Sequence, residues 1–96
     1  MPYIRRTKIV CTLGPSTATH DTIMAIAEAG MNVARLNFSH GTHAHHSERL
    51  RTVRPSSDEL GQPTAILGDL QGPRIRIGEL ALTLPLKPGA PVTLVH

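Results

Sequence analysis

The chain has 96 residues, 40% of them hydrophobic and only 2% aromatic, which limits it to one small domain with a modest core and Tyr3 and Phe38 as its large aromatic anchors. Ten Lys and Arg against seven Asp and Glu give a net charge of +3, and most of the basic residues are arginines, the side chain suited to forked recognition of phosphate or carboxylate. An anionic ligand follows naturally, whereas nucleic acid is excluded as a partner because the basic residues are scattered and little aromatic surface is available for stacking.

Basic residues at the N-terminus, Met1 to Arg6, are not followed by an apolar segment of signal-peptide type, and no apolar run is long enough to span a membrane. The expectation is a cytoplasmic protein without a membrane partner. Thr7 to Leu13, TKIVCTL, is β-branched and apolar on both faces, which predicts a strand covered on two sides and ended by Gly14-Pro15. The single cysteine, Cys11, cannot form an internal disulfide and reads as a small buried hydrophobe in a reducing compartment.

A helix is predicted next. Thr19 serves as its N-cap, Asp21 sits in the first turn where the helix dipole favours an anion, and Ile23, Ile26 and Ala27 give the helical spacing. Gly30 stands as the residue that stops it. Met31 to Gly41, MNVARLNFSHG, reads as the second strand. Alternation places Val33, Arg35, Asn37 and Ser39 on one face and Ala34, Leu36 and Phe38 on the other. The first face is the candidate ligand face, because a guanidinium, an amide and a hydroxyl in succession need something to bind.

Beyond Gly41, His46, Leu50, Val53, Ser57 and Leu60 fall at three- and four-residue steps, predicting a second amphipathic helix closed by Gly61. Pro55 predicts a kink or break near Arg54, since an interior proline removes a backbone donor and clashes with the preceding turn. Thr64 to Leu67 is a third short strand running into Gly68-Asp69. Strands alternating with helices imply parallel pairing, and in such folds ligands bind at the carboxyl ends of the strands.

Both polar clusters lie at those ends: the Arg35 face, and Asp69-Leu70-Gln71-Gly72-Pro73-Arg74-Ile75-Arg76. A mid-strand arginine needs a partner to offset its desolvation, and Asp69 on the adjacent strand or an anionic ligand can supply it. From Arg74 the texture changes. Ile75, Ile77, Leu80, Leu82, Leu84, Val92 and Leu94 alternate with smaller or polar residues between Gly-Pro turns, predicting short antiparallel strands.

No P-loop or Rossmann glycine signature is present. His40, His43, His45 and His46 invite a zinc reading, but no cysteine or carboxylate cluster completes a tetrahedral set, and solvated first-turn histidines are the preferred explanation.

Three stretches, TKIVCTLGPST at residues 7–17, GMNVARLNFSHG at 30–41 and GDLQGPRIRIG at 68–78, closely resemble the N-terminal part of pyruvate kinase. The resemblance implies an α/β fold comprising the β-α-β-α-β start of a (β/α)8 TIM barrel over residues 1–70. It further implies entry at residues 71–96 into the small β-barrel lid that the family inserts after its third strand. The implied reaction moves a phosphoryl group from phosphoenolpyruvate to ADP, giving pyruvate and ATP in glycolysis.

By the same resemblance Arg35 binds the phosphate of phosphoenolpyruvate, and Asn37, Phe38, Ser39, His40 and Arg76 bind the nucleotide. Asn37, Ser39, Asp69 and the carbonyl of Leu70 would hold a monovalent cation, normally K+. Arg74 stands where potassium-dependent relatives usually carry glutamate, so its charge is expected to replace K+ and make it dispensable. The family's catalytic lysine and its Mg2+-binding carboxylates lie on later strands, so no catalytic residue is expected here and the 96 residues alone are expected to be inactive. A (β/α)8 barrel takes ~250 residues. A homotetramer is the family's usual assembly; the competing reading is a truncated remnant that at most binds phosphate or another subunit.

Overall fold

The structure, a computed structural model, describes residues 5–96; Tyr3 and the start of the N-terminal segment lie outside the described residues. Its order is β1 (Val10–Thr12), a 3-10 turn (Pro15–Thr17), α1 (His20–Ala29), β2 (Val33–Asn37), α2 (His43–Leu60) and β3 (Ala65–Asp69). The three strands form one parallel sheet in the order β1-β2-β3. Parallel neighbours cannot be joined by a tight turn, so each connection carries a helix.

Local signals at the helix ends act as the sequence indicates. The Thr19 hydroxyl accepts from the Thr22 amide at 3.3 Å, and Thr42 does the same for His45 at α2. At the other end, Gly30 adopts φ 119° and donates to Ala27, while Met31 donates to Ile26 at 3.1 Å. Gly61 at φ 59° and Gln62 repeat that double bond on Asp58 and Ser57. Both are six-residue closures that satisfy the last carbonyls and require a left-handed residue, which glycine adopts without a Cβ clash.

One face of the sheet is covered. Ala34 and Leu36 of β2 are buried together with Leu13, Ile23 and Ala27 of α1, Met31, and Val53 of α2. Burying one such aliphatic side chain contributes about 1.5–3 kcal/mol, so these residues fix the helices on that side. The opposite face is open: Val10 is 52% exposed and Leu67 42%. The expectation that the first strand is covered on both sides is therefore not met within this chain. Cys11, whose side alternates with Val10, is half-buried against the core.

Pro55 does not break α2, which runs continuously from His43 to Leu60. The proline lies on the exposed side, between the buried Val53 and Ser56. Ser56 also bonds back to the Thr52 carbonyl at 2.9 Å, so packing on both sides of the defect holds the helix together. Ser56, rather than Ser57, faces inward. Ser57 instead bridges the helix end to the next strand, donating to the Gln62 carbonyl and accepting from the Thr64 amide.

After Asp69 no strand forms among the described residues, and residues 70–96 are exposed throughout. The predicted antiparallel strands are absent. Their alternation describes a half-buried sheet, and here Ile75, Ile77, Leu82 and Leu94 find neither a pairing strand nor a second layer to bury against.

Candidate functional site

β2 is the central strand, so a side chain from its open face can reach both neighbours. Register pairs Arg35 with Thr12 on one side, while Asn37 pairs with Asp69 on the other. The Arg35 guanidinium uses both. Nη1 donates to the Thr12 hydroxyl at 3.0 Å, Nε donates to Asp69 Oδ2 at 2.9 Å, and Nη2 donates to the same oxygen.

These bonds involve three of the five N–H groups of an arginine, leaving one on each terminal nitrogen for an anion. Arg35 is 29% exposed and Asp69 47%. The guanidinium is thus desolvated enough to need its counter-charge and open enough to meet a ligand. Asp69 retains Oδ1 as an acceptor, because all of its contacts with Arg35 go to Oδ2.

Strand β2 stops at Asn37, two residues short of Ser39, the end of the predicted polar row. Asn37 Oδ1 accepts from the Ser39 amide at 3.1 Å, and the His40 amide bonds to the Asn37 carbonyl. This side-chain turn removes Ser39 from the strand's alternation and folds it back over the sheet end. The amide oxygen of Asn37, the hydroxyl of Ser39, Asp69 Oδ1 and the carbonyl of Leu70 just beyond β3 are all hard oxygen donors, the set that suits an alkali or alkaline-earth cation over zinc. The donor chemistry therefore fits the cation implied by the resemblance.

Phe38 turns its ring to the helix side. It stacks on His46 at 4.5 Å and meets His43 edge-on at 6.1 Å. Only its backbone remains near the turn. Gly68 lies beneath the ring, where an added Cβ would come within 3.3 Å of it. Arg74 and Arg76 lie exposed on the segment without regular structure, and the structure does not bring them to the Arg35–Asp69 pair.

Two features of the site carry no motif signature in the sequence pattern. Thr12 is the acceptor that holds the far side of the Arg35 fork, and its position at the end of β1 was the available signal. A pocket of about 390 Å³ opens between the β1 and β2 ends, lined among others by Thr12, Gly14, Asn37, His40, His45 and Arg49. His46 is buried beside it, its Nε2 2.8 Å from the His40 carbonyl and its Nδ1 3.4 Å from Arg49. Both ring nitrogens are thus engaged within the protein.

A family model described as "PK: Pyruvate kinase, barrel domain" matches residues 4–95. The chain belongs to the pyruvate kinase family. It is 48% identical over 96 residues to pyruvate kinase 2 of Synechocystis sp., a match covering 97% of this chain and 16% of that protein. It is 56% identical over 77 residues to the pyruvate kinase of Mycobacterium intracellulare, covering 80% of this chain and 16% of that protein. The pyruvate kinase of Chlamydia muridarum is 45% identical over 91 residues, 95% of this chain and 19% of that protein. The chain spans less than a fifth of the length of these pyruvate kinases. Among the described residues no helix is long and apolar enough to cross a membrane.

Proposed function

We propose that this chain forms the opening three strands of a pyruvate kinase barrel and contributes the anion-holding half of its site. Residues 1–70 belong to the (β/α)8 domain, and residues 71–96 lead into the inserted lid, whose strands form once the remainder of that domain packs against their alternating apolar residues. In the complete enzyme the phosphoryl group of phosphoenolpyruvate passes to ADP. Its P–O bond to the enol oxygen breaks, one to the terminal ADP oxygen forms, and the enolate takes up a proton to give pyruvate.

The observation that carries this reading is the Arg35 fork, fixed between Thr12 and Asp69 at the carboxyl ends of the strands with two N–H groups unspent. Phosphoryl transfer depends chiefly on positioning and on neutralising charge at oxygen, and a pre-oriented guanidinium does both. Asn37, Ser39, Asp69 and the Leu70 carbonyl are the residues that would hold a monovalent cation, and the Arg74 guanidinium would supply that positive charge in its place. The backbone of Asn37 to His40, with Arg76, serves the nucleotide phosphates. The Mg2+ ligands and the general acid–base lysine belong to later strands, so the 96 residues bind without turning over. Assembly as a cytoplasmic homotetramer belongs to the whole enzyme.

The test is to extend the reading frame past His96, express the product and measure pyruvate release from phosphoenolpyruvate and ADP. Release that is lost in Arg35→Ala supports the proposal. A stop codon directly after His96, or an extended product without activity, favours the remnant instead.

A further inference from the structure

We propose that Arg49 is an additional phosphate-binding residue of the nucleotide pocket, held in place by His46 acting as a positioning residue. The inference rests on the reading of the Asn37–His40 turn as a nucleotide site, and adds to it a cation from α2 that the motif does not contain.

The two hydrogen-bond partners of His46 fix its tautomer. A carbonyl can only accept, so the 2.8 Å contact to the His40 oxygen places the proton on Nε2. A guanidinium can only donate, so the 3.4 Å contact from Arg49 Nη1 requires a lone pair on Nδ1. The two partners together specify the neutral Nε2–H form. One buried ring, clamped on its face by Phe38, thereby ties the nucleotide turn to the Arg49 side chain.

Gly41 closes over this arrangement at φ 75°, where an added Cβ would sit 3.5 Å from His46 Nε2 and 3.7 Å from Arg49 Nη1. Arg49 also lines the 390 Å³ pocket with Thr12, Gly14, Asn37 and His40. Among the described residues no carboxylate lies within ion-pair distance of it. Arg35, facing the same strand ends, has Asp69; Arg49 has only a neutral imidazole. A half-buried guanidinium without a counter-ion on a pocket wall favours an incoming anion, and the adjacent turn makes the phosphate end of a nucleotide that anion.

The test uses the 96-residue chain with ADP and adenosine as probes, binding followed by titration calorimetry and helix content by circular dichroism. Arg49→Gln is expected to weaken ADP about 5- to 10-fold, the loss of one charge-assisted bond at a partly exposed site, and to leave adenosine unchanged. His46→Gln keeps a donor for the His40 carbonyl but leaves no acceptor at the Nδ1 position that holds Arg49, so it should weaken ADP to a similar extent. The double variant should be no worse than either single one. Arg54→Gln, an exposed cation on the same helix, serves as the control. ADP affinity unaffected by Arg49→Gln, equal losses for ADP and adenosine, or additive losses in the double variant would each overturn the proposal and leave the reading of the turn intact. No ADP binding by the unsubstituted chain would overturn both.

Discussion

Removing the Arg35–Asp69 pair offers the sharpest probe of how the strands share one site. The pair is neither a surface contact nor a buried one: its side chains are 29% and 47% exposed. Exposed ion pairs contribute about 0–1 kcal/mol, whereas breaking a fully buried pair costs about 3–5 kcal/mol. Two forked bonds onto one carboxylate oxygen, half-screened by solvent, put the coupling near 1 kcal/mol. The Thr12 bond adds about 0.5–1 kcal/mol to the loss in Arg35→Met, where the apolar stem is kept.

Arg35→Met should therefore lower the melting temperature by roughly 6–16 °C, at about 4–8 °C per kcal/mol for a domain of this size. Asp69→Asn should lower it less, because the amide oxygen still accepts from the guanidinium. A double-mutant cycle by thermal circular dichroism would give the coupling directly. It should shrink at about 0.5 M NaCl without vanishing, since salt screens exposed charges more than half-buried ones. A coupling below about 0.3 kcal/mol, within ordinary additivity, would refute the claim that the fork joins β2 to β3.

Three further outcomes follow from the fold and the family. Gly61→Ala should cost about 1 kcal/mol for backbone strain alone, since its φ is 59° and nothing lies within 4 Å of an added Cβ; Gly30→Ala should cost more, because its Cβ would displace the Arg5 guanidinium from the Gly30 carbonyl. Urea titration compares them, and equal costs would contradict the role given to Arg5. Ile23→Val, at a fully buried position, should cost about 0.5–1.5 kcal/mol by the same titration, and a neutral result would mean that α1 is not seated on the sheet. In the extended, active enzyme, KCl titration should show little stimulation because Arg74 supplies the positive charge, and a steep dependence would contradict that assignment.

The sequence carried the elements whose causes are local. The Thr19 cap, the glycine closures at Gly30 and Gly61 and the alternation along β2 each depend on neighbours a few residues away, and each is where the pattern puts it. The meeting of Arg35 with Asp69 was also legible, because parallel strands that end together deliver their last residues side by side. The break predicted at Pro55 does not occur, because the proline's cost is local while the packing of Val53 and Ser56 that offsets it depends on tertiary contacts. Ser39 leaves the predicted alternation because the Asn37 side chain competes with the ladder and ends the strand early. The alternation after Arg74 is a statement about partners, and among the described residues no strand pairs with it. Spacing puts His46 on the inward side of α2, but its link from the His40 carbonyl to Arg49 on the pocket wall depends on tertiary contacts that no spacing rule encodes.

The most direct measurement is the affinity of the 96-residue chain for phosphoenolpyruvate, set beside that of Arg35→Ala with helix content matched. If the guanidinium between Thr12 and Asp69 is the anion holder, the substitution should reduce binding by about tenfold or more, the loss of a charge-assisted fork. Equal affinities would contradict the account.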